Sequence, residues 1–391
     1  MSSLRDKACI VGVGHTAYRR DGTESATDLG LQLEAAHAAI VDAGLSAGEI
    51  DGLICPINGG TAEDFIANLG LTHVRYAVTS HTGGAASVAA LATAAMAVWS
   101  GVARHVLIPA GWCGYSGPRA RGMASSADMA IGKVVRDYYA PQGAVSAVHQ
   151  YALVADRYVR KYDVPPEAMG GAVAVAFRAN AQLNSNAVMC GRELTMQDYL
   201  DAPPISTPFR LFDCSLETDG AAAVVVSAAD RAADSPHRPV FVMSVAEGRP
   251  FPVDEFANRA DPLEIGLAEA APRAFADAGV TPPSDIDLLE VYDSFTVNVL
   301  RQIESAGFCK PGEAADFVLD GCIAADGSLP TNLNGGLLSE AHVQGMNNLV
   351  EAVRQLRGGL PQRQVHNAEL AVVTGMGGGW GGSGALAILR R

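Results

Sequence analysis

Short runs rich in apolar residues alternate along the chain with longer stretches that have helical spacing. The runs that predict buried strands are residues 8–14, 49–54, 74–79, 105–110, 219–226, 241–245 and 286–291. Between the first two runs, Leu29, Leu33 and Ile40 recur at the spacing of one helix face. This helical pattern stops at Gly44, a residue type that favours a helix C-terminus. Strands that alternate with helices predict an α/β fold with buried sheets.

The order of elements repeats from about residue 240. Residues 42–51 (DAGLSAGEID) match residues 277–287 (DAGVTPPSDID), where a helix end is followed by a new strand in both cases. We therefore predict a duplication into two halves, residues 1–238 and 239–391, stacked as an α-β-α-β-α body.

Two helices can be placed within these halves. From Gly83 to Gly101 the pattern is apolar and alanine-rich nearly all round, which predicts a helix buried in the middle of the fold. In the second half, Asp261 and Pro262 are residue types preferred at a helix N-cap and first turn. A helix is predicted from there to Gly279.

Residues 113–210 break the alternation of strands and helices. They are polar, are interrupted by proline and glycine, and contain helical stretches near residues 146–162 and 165–184. An inserted loop or cap region is the prediction.

Composition excludes several classes of function. The 28 basic and 42 acidic residues give a net charge of −14, which argues against a nucleic-acid partner. The sequence has no apolar run long enough for a membrane span and no signal-peptide pattern at its start, so a cytoplasmic location is expected. Seven scattered cysteines without a CxxC pair predict neither disulfides nor a metal site. No complete GxGxxG or P-loop motif indicates a nucleotide cofactor.

Two polar segments follow apolar runs at positions where a pocket is expected. Val291–Phe295 (VYDSF) ends a predicted strand, and the glycine-flanked segment 334–342 (NGGLLSEAH) follows about fifty residues later. We expect Tyr292 and His342 to face one pocket. Since side chains alternate along a strand, Asp293 is expected on the opposite side from Tyr292.

Several motifs, taken in their order and spacing, carry a family resemblance over nearly the whole chain. They are residues 208–214 (PFRLFDC), 218–223 (TDGAAA), 292–296 (YDSFT), 307–313 (GFCKPGE), 332–336 (NLNGG), 355–358 (QLRG) and 377–381 (GGGWG). Together they resemble the thiolase superfamily, with the greatest likeness to its sterol-carrier or lipid-transfer-protein branch. The resemblance implies the thiolase fold, with two βαβαβαββ halves, and a homodimer.

The four catalytic positions of thiolases resemble Gly84, Tyr292, His342 and Gly375 of this chain. In thiolases a nucleophilic cysteine starts the central helix and a second cysteine precedes the final glycine-rich turn. Both positions, Gly84 and Gly375, are glycine here. Covalent acyl transfer needs an activated thiolate, which glycine cannot supply.

A site without a nucleophile suits non-covalent carbon–carbon bond chemistry. The absence of both cysteines and the presence of Tyr292 resemble the steroid side-chain-cleaving aldolases of the lipid-transfer-protein type. This likeness implies retro-aldol cleavage of a β-hydroxyacyl-CoA thioester with Tyr292 as the catalytic acid/base, and no cofactor besides the coenzyme A of the substrate. His342 stands at a catalytic position of thiolases, from which it would polarise the thioester carbonyl. In the aldolases a tyrosine is expected at this position. It also implies a small partner protein with an OB fold and a zinc ribbon.

Alternatives remain open for the individual residues. Gly84, His81, Asn334 and Gly378 are candidates for substrate contacts, although Gly84 would also ease packing at the helix start and His81 would also fit a solvated surface. Arg119, Arg121 and Arg178 are candidates for binding coenzyme A phosphates, none of them favoured by the sequence.

Two other functions also fit the chain. The first is a catalytically silent subunit that binds lipids or acyl-CoA while a partner protein carries out the reaction. The second is an acetyl-CoA acyltransferase-type enzyme that uses a relocated residue such as Cys113.

Overall fold

The computed structural model describes residues 4–22, 26–56, 58–117, 135–252, 258–377 and 382–391. The strands are β1 (Ala8–His15), β2 (Gly52–Cys55), β3 (Tyr76–Thr79), β4 (His105–Cys113), β5 (Pro204–Ser206), β6 (Phe209–Arg210), β7 (Asp219–Ala228), β8 (Val240–Gly248), β9 (Leu288–Glu290), β10 (Leu370–Gly377) and β11 (Ser383–Arg390). The helices are α1 (Asp28–Asp42), α2 (Ala62–Leu69), α3 (Ala86–Trp99), α4 (Ala147–Tyr162), α5 (Ala172–Gln182), α6 (Met196–Asp201), α7 (Leu267–Ala278), α8 (Thr296–Ser305), α9 (Ala314–Leu319), α10 (Gly336–Ser339) and α11 (Met346–Arg357).

Nine of these strands form one hydrogen-bonded sheet. Their order is β3-β2-β4-β7-β1-β8-β11-β10-β9, while β5 and β6 form a separate small ribbon. The two halves of the sheet meet where β1 pairs with β8, and Ala8, Cys9 and Ile10 are the only β1 residues in this pairing among those described. This short seam joins a first half-sheet, β3 to β1, to a second, β8 to β9.

Helices α3 and α11 lie between the two half-sheets. Their buried residues belong to one apolar cluster that includes strand residues of both halves. Helices α1 and α2 cover the outer face of the first half, and α7 and α8 cover the outer face of the second. The predicted α/β fold class with α-β-α-β-α layers is confirmed, as is the burial of the alanine-rich helix α3.

The second half departs from the predicted duplication at its third strand. Where the first half has β3, the second has only an isolated bridge between Leu289 and Thr331. The chain leaves the sheet after this bridge because Asn332 adopts a positive φ of 47°. The segment that follows turns toward the end of β9, and this turn matters for the candidate site.

The predicted start of the helix after β8 was wrong. Asp261 accepts a hydrogen bond from the Leu263 backbone N–H at 3.0 Å, which closes a turn instead of opening a helix. Helix α7 begins only at Leu267, after Gly266 has passed close to the backbone of Gly248, where a Cβ at Gly266 would lie 2.0 Å from the carbonyl oxygen. The predicted helix end at Gly279 is confirmed, with φ of 66° at that residue.

The inserted region contains the two predicted helices. Helix α4 occupies residues 147–162, and α5 follows a wide turn at Glu167–Gly171. No helix in the described part of the chain has both the length and the apolar character required to cross a membrane.

Candidate active site

Side-chain amides replace the missing strand partner at the end of β9. The Asn332 side chain accepts from the Val291 N–H at 2.7 Å and donates to the Val291 carbonyl at 3.0 Å. The Gln302 side chain does the same for the Tyr292 backbone, at 3.3 and 2.8 Å. Since buried backbone groups need such partners, these amides allow the strand to end early and fix the backbone of Tyr292.

Tyr292 and Asp293 point in opposite directions, as strand alternation predicts. Tyr292 lies on the wall of a large cavity. The Asp293 carboxylate instead accepts hydrogen bonds from the Leu337 and Leu338 backbone N–H groups at 2.9 and 3.0 Å. Burial raises the pKa of Asp293 to about 7. Asp293 therefore holds the segment that carries α10 beside the strand end.

Asn334 positions this segment from behind and does not contact the cavity. Its side-chain amide donates to Glu340 at 2.6 Å, and the amides of Asn184 and Asn347 donate to the same carboxyl group. Asn334 is fully buried and is not among the described residues that line the cavity. The prediction that Asn334 contacts substrate was wrong, because its amide is committed to the Glu340 carboxyl group.

His342 is fixed at its backbone and at one ring nitrogen. Its carbonyl accepts from the Trp112 indole at 2.7 Å, and its N–H donates to the Thr218 hydroxyl at 2.9 Å. The ring atom Nδ1 lies 3.3 Å from Ser215 Oγ. Burial lowers the pKa of His342 to about 4, partly offset by a hydrogen bond to the Leu216 backbone. The imidazole is therefore neutral at neutral pH.

The structure brings Tyr292 and His342 together. Tyr292 Oη lies 3.0 Å from His342 Nε2. Burial, together with the nearby Tyr151 and Asp293, raises the pKa of Tyr292 above its usual value. The backbone hydrogen bond at Leu216 raises the pKa of His342, as expected if a carbonyl accepts from a ring N–H. Leu216 follows Ser215, whose Oγ lies close to Nδ1, so we assign the ring proton of His342 to Nδ1. Nε2 then has a lone pair, which accepts a hydrogen bond from the Tyr292 hydroxyl.

The Tyr292 ring occupies the space that a side chain at position 84 would need. A Cβ at Gly84 would lie 2.2 Å from Tyr292 Cζ and 2.3 Å from Cε1. On the other side of the ring, a Cβ at Gly345 would lie 2.8 Å from Tyr292 Cδ2. Non-bonded carbon atoms do not approach each other this closely. Tyr292 therefore requires glycine on both sides.

The second vacated cysteine position is also closed to side chains. Gly375 lies in β10, and a Cβ there would approach the Ala85 Cα to 2.8 Å and the Gly84 carbonyl oxygen to 3.1 Å. The candidate contact at Gly378 lies outside the described residues, as do Arg119 and Arg121.

The cavity in front of this pair has a volume of about 1000 Å³. Its wall includes Gly84, His81, Thr82, Ser215, Tyr292 and His342, together with Trp112, Tyr151, Phe212, Phe295, Leu194, Met346 and Met376. His81 lies on the cavity wall with an exposed side chain, and its contact with substrate stays a prediction. Trp112 and Ser215 were missed by the sequence analysis. Ser215 directly follows the PFRLFDC motif, which was a usable signal, whereas nothing local marks Trp112.

The cysteines near the cavity do not provide a thiolate. Cys55 and Cys214 lie on the wall, and burial raises the pKa of their thiols to about 11 and about 12. Cys113 is not among the described wall residues, and burial raises its thiol pKa to about 11. A nucleophilic thiolate requires a lowered pKa. The relocated nucleophile that the sequence left open gains no support here.

Comparisons with known proteins agree with the sequence motifs. Residues 252–391 match a family model described as thiolase C-terminal domain-like. A 17-hydroxy-3-oxo-4-pregnene-20-carboxyl-CoA lyase of Mycobacterium tuberculosis is 37% identical over 365 residues, which cover 91% of this chain and 92% of the relative. A steroid side-chain-cleaving aldolase of Thermomonospora curvata is 35% identical over 368 residues, which cover 92% of each protein.

Solved structures give the same result. The Ltp2-ChsH2(DUF35) aldolase superposes with a TM-score of 0.91 at 33% identity and covers 100% of this chain and 99% of the other. Human mitochondrial 3-ketoacyl-CoA thiolase superposes with a TM-score of 0.72 at 16% identity, over 100% of both chains, which shows a shared fold alone. The chain thus belongs to the thiolase superfamily, in its lipid-transfer-protein branch, and is similar to steroid side-chain-cleaving CoA-thioester aldolases.

Proposed function

We propose that this protein cleaves a carbon–carbon bond of a β-hydroxyacyl-CoA by a retro-aldol reaction without a covalent acyl-enzyme. One observation carries the proposal: the neutral Tyr292–His342 pair lies at a large cavity, and the Tyr292 ring fills the site where a thiolase nucleophile would stand. The names of the two similar proteins, a lyase and an aldolase, support it.

The proposed reaction moves one proton from oxygen to carbon. Tyr292 takes the proton of the substrate β-hydroxyl as its own proton passes to His342 Nε2. The Cα–Cβ bond then breaks, Cβ becomes a ketone or aldehyde, and its bonding electrons form the thioester enolate. Return of the proton through the same pair to Cα gives the shorter acyl-CoA. The reaction is redox-neutral, so we propose that it uses no cofactor.

The N-terminal end of α3 is suited to the enolate. Gly83, Gly84, Ala86 and Ser87 place this end on the cavity wall, where the helix dipole favours negative charge. The Thr82 hydroxyl lies on the same wall, is buried, and has no hydrogen-bond partner among the described residues. We propose that the thioester oxygen binds in this region.

A bulky apolar acyl group, such as a steroid with its side chain, is the proposed substrate. The cavity volume of about 1000 Å³ is at the upper end of the range for small-molecule sites. Most of its wall is apolar, with Leu194, Phe212 and Phe295 among the contributing residues. The lyase relative is named for a steroid CoA thioester.

We further propose a homodimer that works with a small OB-fold, zinc-ribbon partner in the cytoplasm. Strand β3 lies at the edge of the sheet with Ala77 and Thr79 exposed, and an unpaired edge favours association. The similar solved aldolase is named for two proteins, Ltp2 and ChsH2(DUF35), which supports a partner here. All seven cysteines are unpaired, which fits a reducing compartment.

Replacing either member of the pair tests the mechanism. We expect Tyr292→Phe and His342→Gln each to lower kcat by about 10²- to 10⁴-fold, because the proton relay is broken. Phenylalanine keeps the ring between its two glycines. The assay follows release of the shorter acyl-CoA from tertiary β-hydroxyacyl-CoA substrates.

Cys113→Ala serves as the control and is expected to retain activity. Full activity in both variants of the pair would contradict the mechanism. Tight acyl-CoA binding by the wild-type protein without turnover, with and without a partner, would favour the silent-subunit alternative.

The pH profile provides a second test. Burial lowers the pKa of His342 to about 4, so the neutral imidazole that accepts the Tyr292 proton is present above this pH and lost below it. We expect kcat/KM to fall as pH decreases through about 4, and this acidic limb to disappear in the residual activity of His342→Gln. Circular dichroism at each pH checks folding. A limb near the ordinary histidine pKa of about 6.5 that disappears in His342→Gln would count against a neutral His342. A limb near 7 that persists in this variant would instead report another group such as Asp293.

The fit between Tyr292 and Gly84 predicts a non-additive pair of substitutions. Gly84→Ala puts a Cβ 2.2 Å from Tyr292 Cζ, so we expect it to cost about 1–3 kcal/mol of unfolding free energy and to displace the ring from His342. A Cβ at Gly84 would also lie 2.5 Å from the Met376 carbonyl oxygen, so in a Tyr292→Ala background the same substitution should cost less but not nothing, and activity should stay lost. Chemical denaturation of all four proteins measures the coupling.

Gly48→Ala is the matched control, since its Cβ would meet nothing closer than 3.5 Å. Equal costs of Gly84→Ala in both backgrounds would show that the ring does not fill this space.

Sedimentation equilibrium tests the proposed assembly. We expect the wild-type chain to sediment at twice its monomer mass, and Ala77→Pro, which removes an N–H from the edge strand, to sediment as a folded monomer. Addition of an OB-fold, zinc-ribbon protein should increase the mass further. A wild-type monomer that does not change mass with the partner would contradict both parts.

A further inference from the structure

Arg178 is a buried cation on the cavity wall. It lies on α5, is 6% exposed, and belongs to the residues that line the cavity. Ala174, one turn earlier, faces the same cavity, as do Leu194 and Phe212. The guanidinium is therefore placed among apolar side chains, where an isolated charge is costly.

The contacts of Arg178 are all with uncharged acceptors. Its Nε donates to the Ser339 hydroxyl at 3.0 Å, and Nη1 donates to the Arg192 carbonyl oxygen at 3.2 Å. Its Cζ lies 5.6 Å from the centre of the Phe212 ring. For Nη2, no acceptor is present among the described residues. Arginine presents five donors, so donors remain for a ligand.

No carboxylate in the described part of the chain lies within ion-pair distance of Arg178. Arg357 and Arg363, by comparison, have ion pairs at 2.7 and 2.8 Å with Asp42 and Glu351. The cation Arg192 adds to burial in lowering the pKa of Arg178. Arg178 thus places a positive charge on the cavity wall without an ion-pair partner of its own among the described residues.

Arg301 is another buried arginine, but its hydrogen bonds show a structural role that Arg178 does not share. Arg301 is 1% exposed, and its three nitrogens donate to the Leu263 carbonyl, the Asn298 side chain and the Pro262 carbonyl. All three nitrogens are thus used, two of them to fix the segment before α7 and the third within α8. Arg178, in contrast, leaves one nitrogen for the cavity.

We infer that Arg178 binds a negatively charged oxygen group of the substrate inside the cavity. This inference rests on the proposed function in so far as the ligand is a CoA thioester. Two parts of such a ligand can provide the negatively charged oxygen group: a phosphate of coenzyme A, or a carboxylate on the acyl skeleton away from the thioester. The apolar neighbours favour the carboxylate, because a phosphate dianion would lose more hydration there.

Four probes locate the charge that Arg178 binds. They are the CoA and pantetheine thioesters of one steroid acyl group, each with and without a carboxyl group at the distal ring. All four lack the β-hydroxyl group, so they bind without being cleaved. Calorimetry gives the Kd of each probe for the wild-type protein, Arg178→Met and Arg178→Lys.

We expect Arg178→Met to weaken binding by roughly 10- to 100-fold for probes that carry the recognised anion, as for one charged hydrogen bond. Probes without that anion should bind both proteins equally. A loss confined to carboxylated probes assigns the acyl carboxylate, and a loss confined to CoA probes assigns the phosphate. Arg178→Lys should recover part of the affinity, since it keeps the charge.

Arg160→Met is the control, because Arg160 belongs to the same cap but its side chain is 74% exposed and paired with Asp156. It should bind all four probes like the wild type. Thermal denaturation confirms that each variant is folded.

The inference is overturned if Arg178→Met binds all four probes like the wild type, or if it loses the same factor on all four, including the uncharged pantetheine thioester. Failure of the wild type to bind any probe would overturn the proposed function as well. If the wild type shows the anion-dependent binding but does not cleave a β-hydroxyacyl-CoA, only the proposed reaction would be overturned.

Discussion

The aromatic ring of Tyr292 lies in a slot with a glycine on each side, and the geometry of the candidate active site depends on that fit. A Cβ at Gly84 would meet the ring at Cζ and Cε1, and a Cβ at Gly345 would meet it at Cδ2 and Cε2, so the ring fits closely between these two positions. The ring in turn brings its hydroxyl to 3.0 Å from His342. A closely packed interior does not adjust to an added methyl group without moving something. The hydroxyl is therefore held by shape and not only by its hydrogen bond.

Polar side chains that never reach the cavity hold the slot together. Asn332 and Gln302 pair with the backbone at the end of β9, and Asp293 accepts two N–H groups of the segment that leads to His342. Asn334 and its neighbours converge on the Glu340 carboxyl group. A buried polar network favours a single conformation when its donors and acceptors have hydrogen-bond partners. It links a strand end to a segment about fifty residues later.

The sequence was sufficient for those features that local pattern determines. Alternating strands and helices predicted the α/β layers, and strand alternation placed Tyr292 and Asp293 on opposite sides. The family motifs predicted that Tyr292 and His342 line one pocket. Asn334 was assigned to the substrate because a motif shows that an amide is near a pocket, but not which way it faces. Asp261 has the residue type of a helix cap, yet it closes a turn.

The remaining features depend on contacts between distant parts of the chain. The third strand of the second half shrinks to one bridge because the Asn332 side chain replaces a sheet partner, which no local pattern shows. Trp112 reaches the His342 carbonyl across 230 positions. The burial of Arg178 likewise follows from the packing of the cap against the segment before His342.

The slot around Tyr292 also restricts the order in which such a site can evolve. In this backbone a cysteine at position 84 would overlap the Tyr292 ring, so the two side chains coexist only if the ring moves away from His342. A mutational path from a cysteine-bearing site to a tyrosine placed beside His342 must therefore include the loss of the side chain at position 84. The two positions are epistatic for a steric reason, and a returning cysteine would displace the tyrosine from its partner.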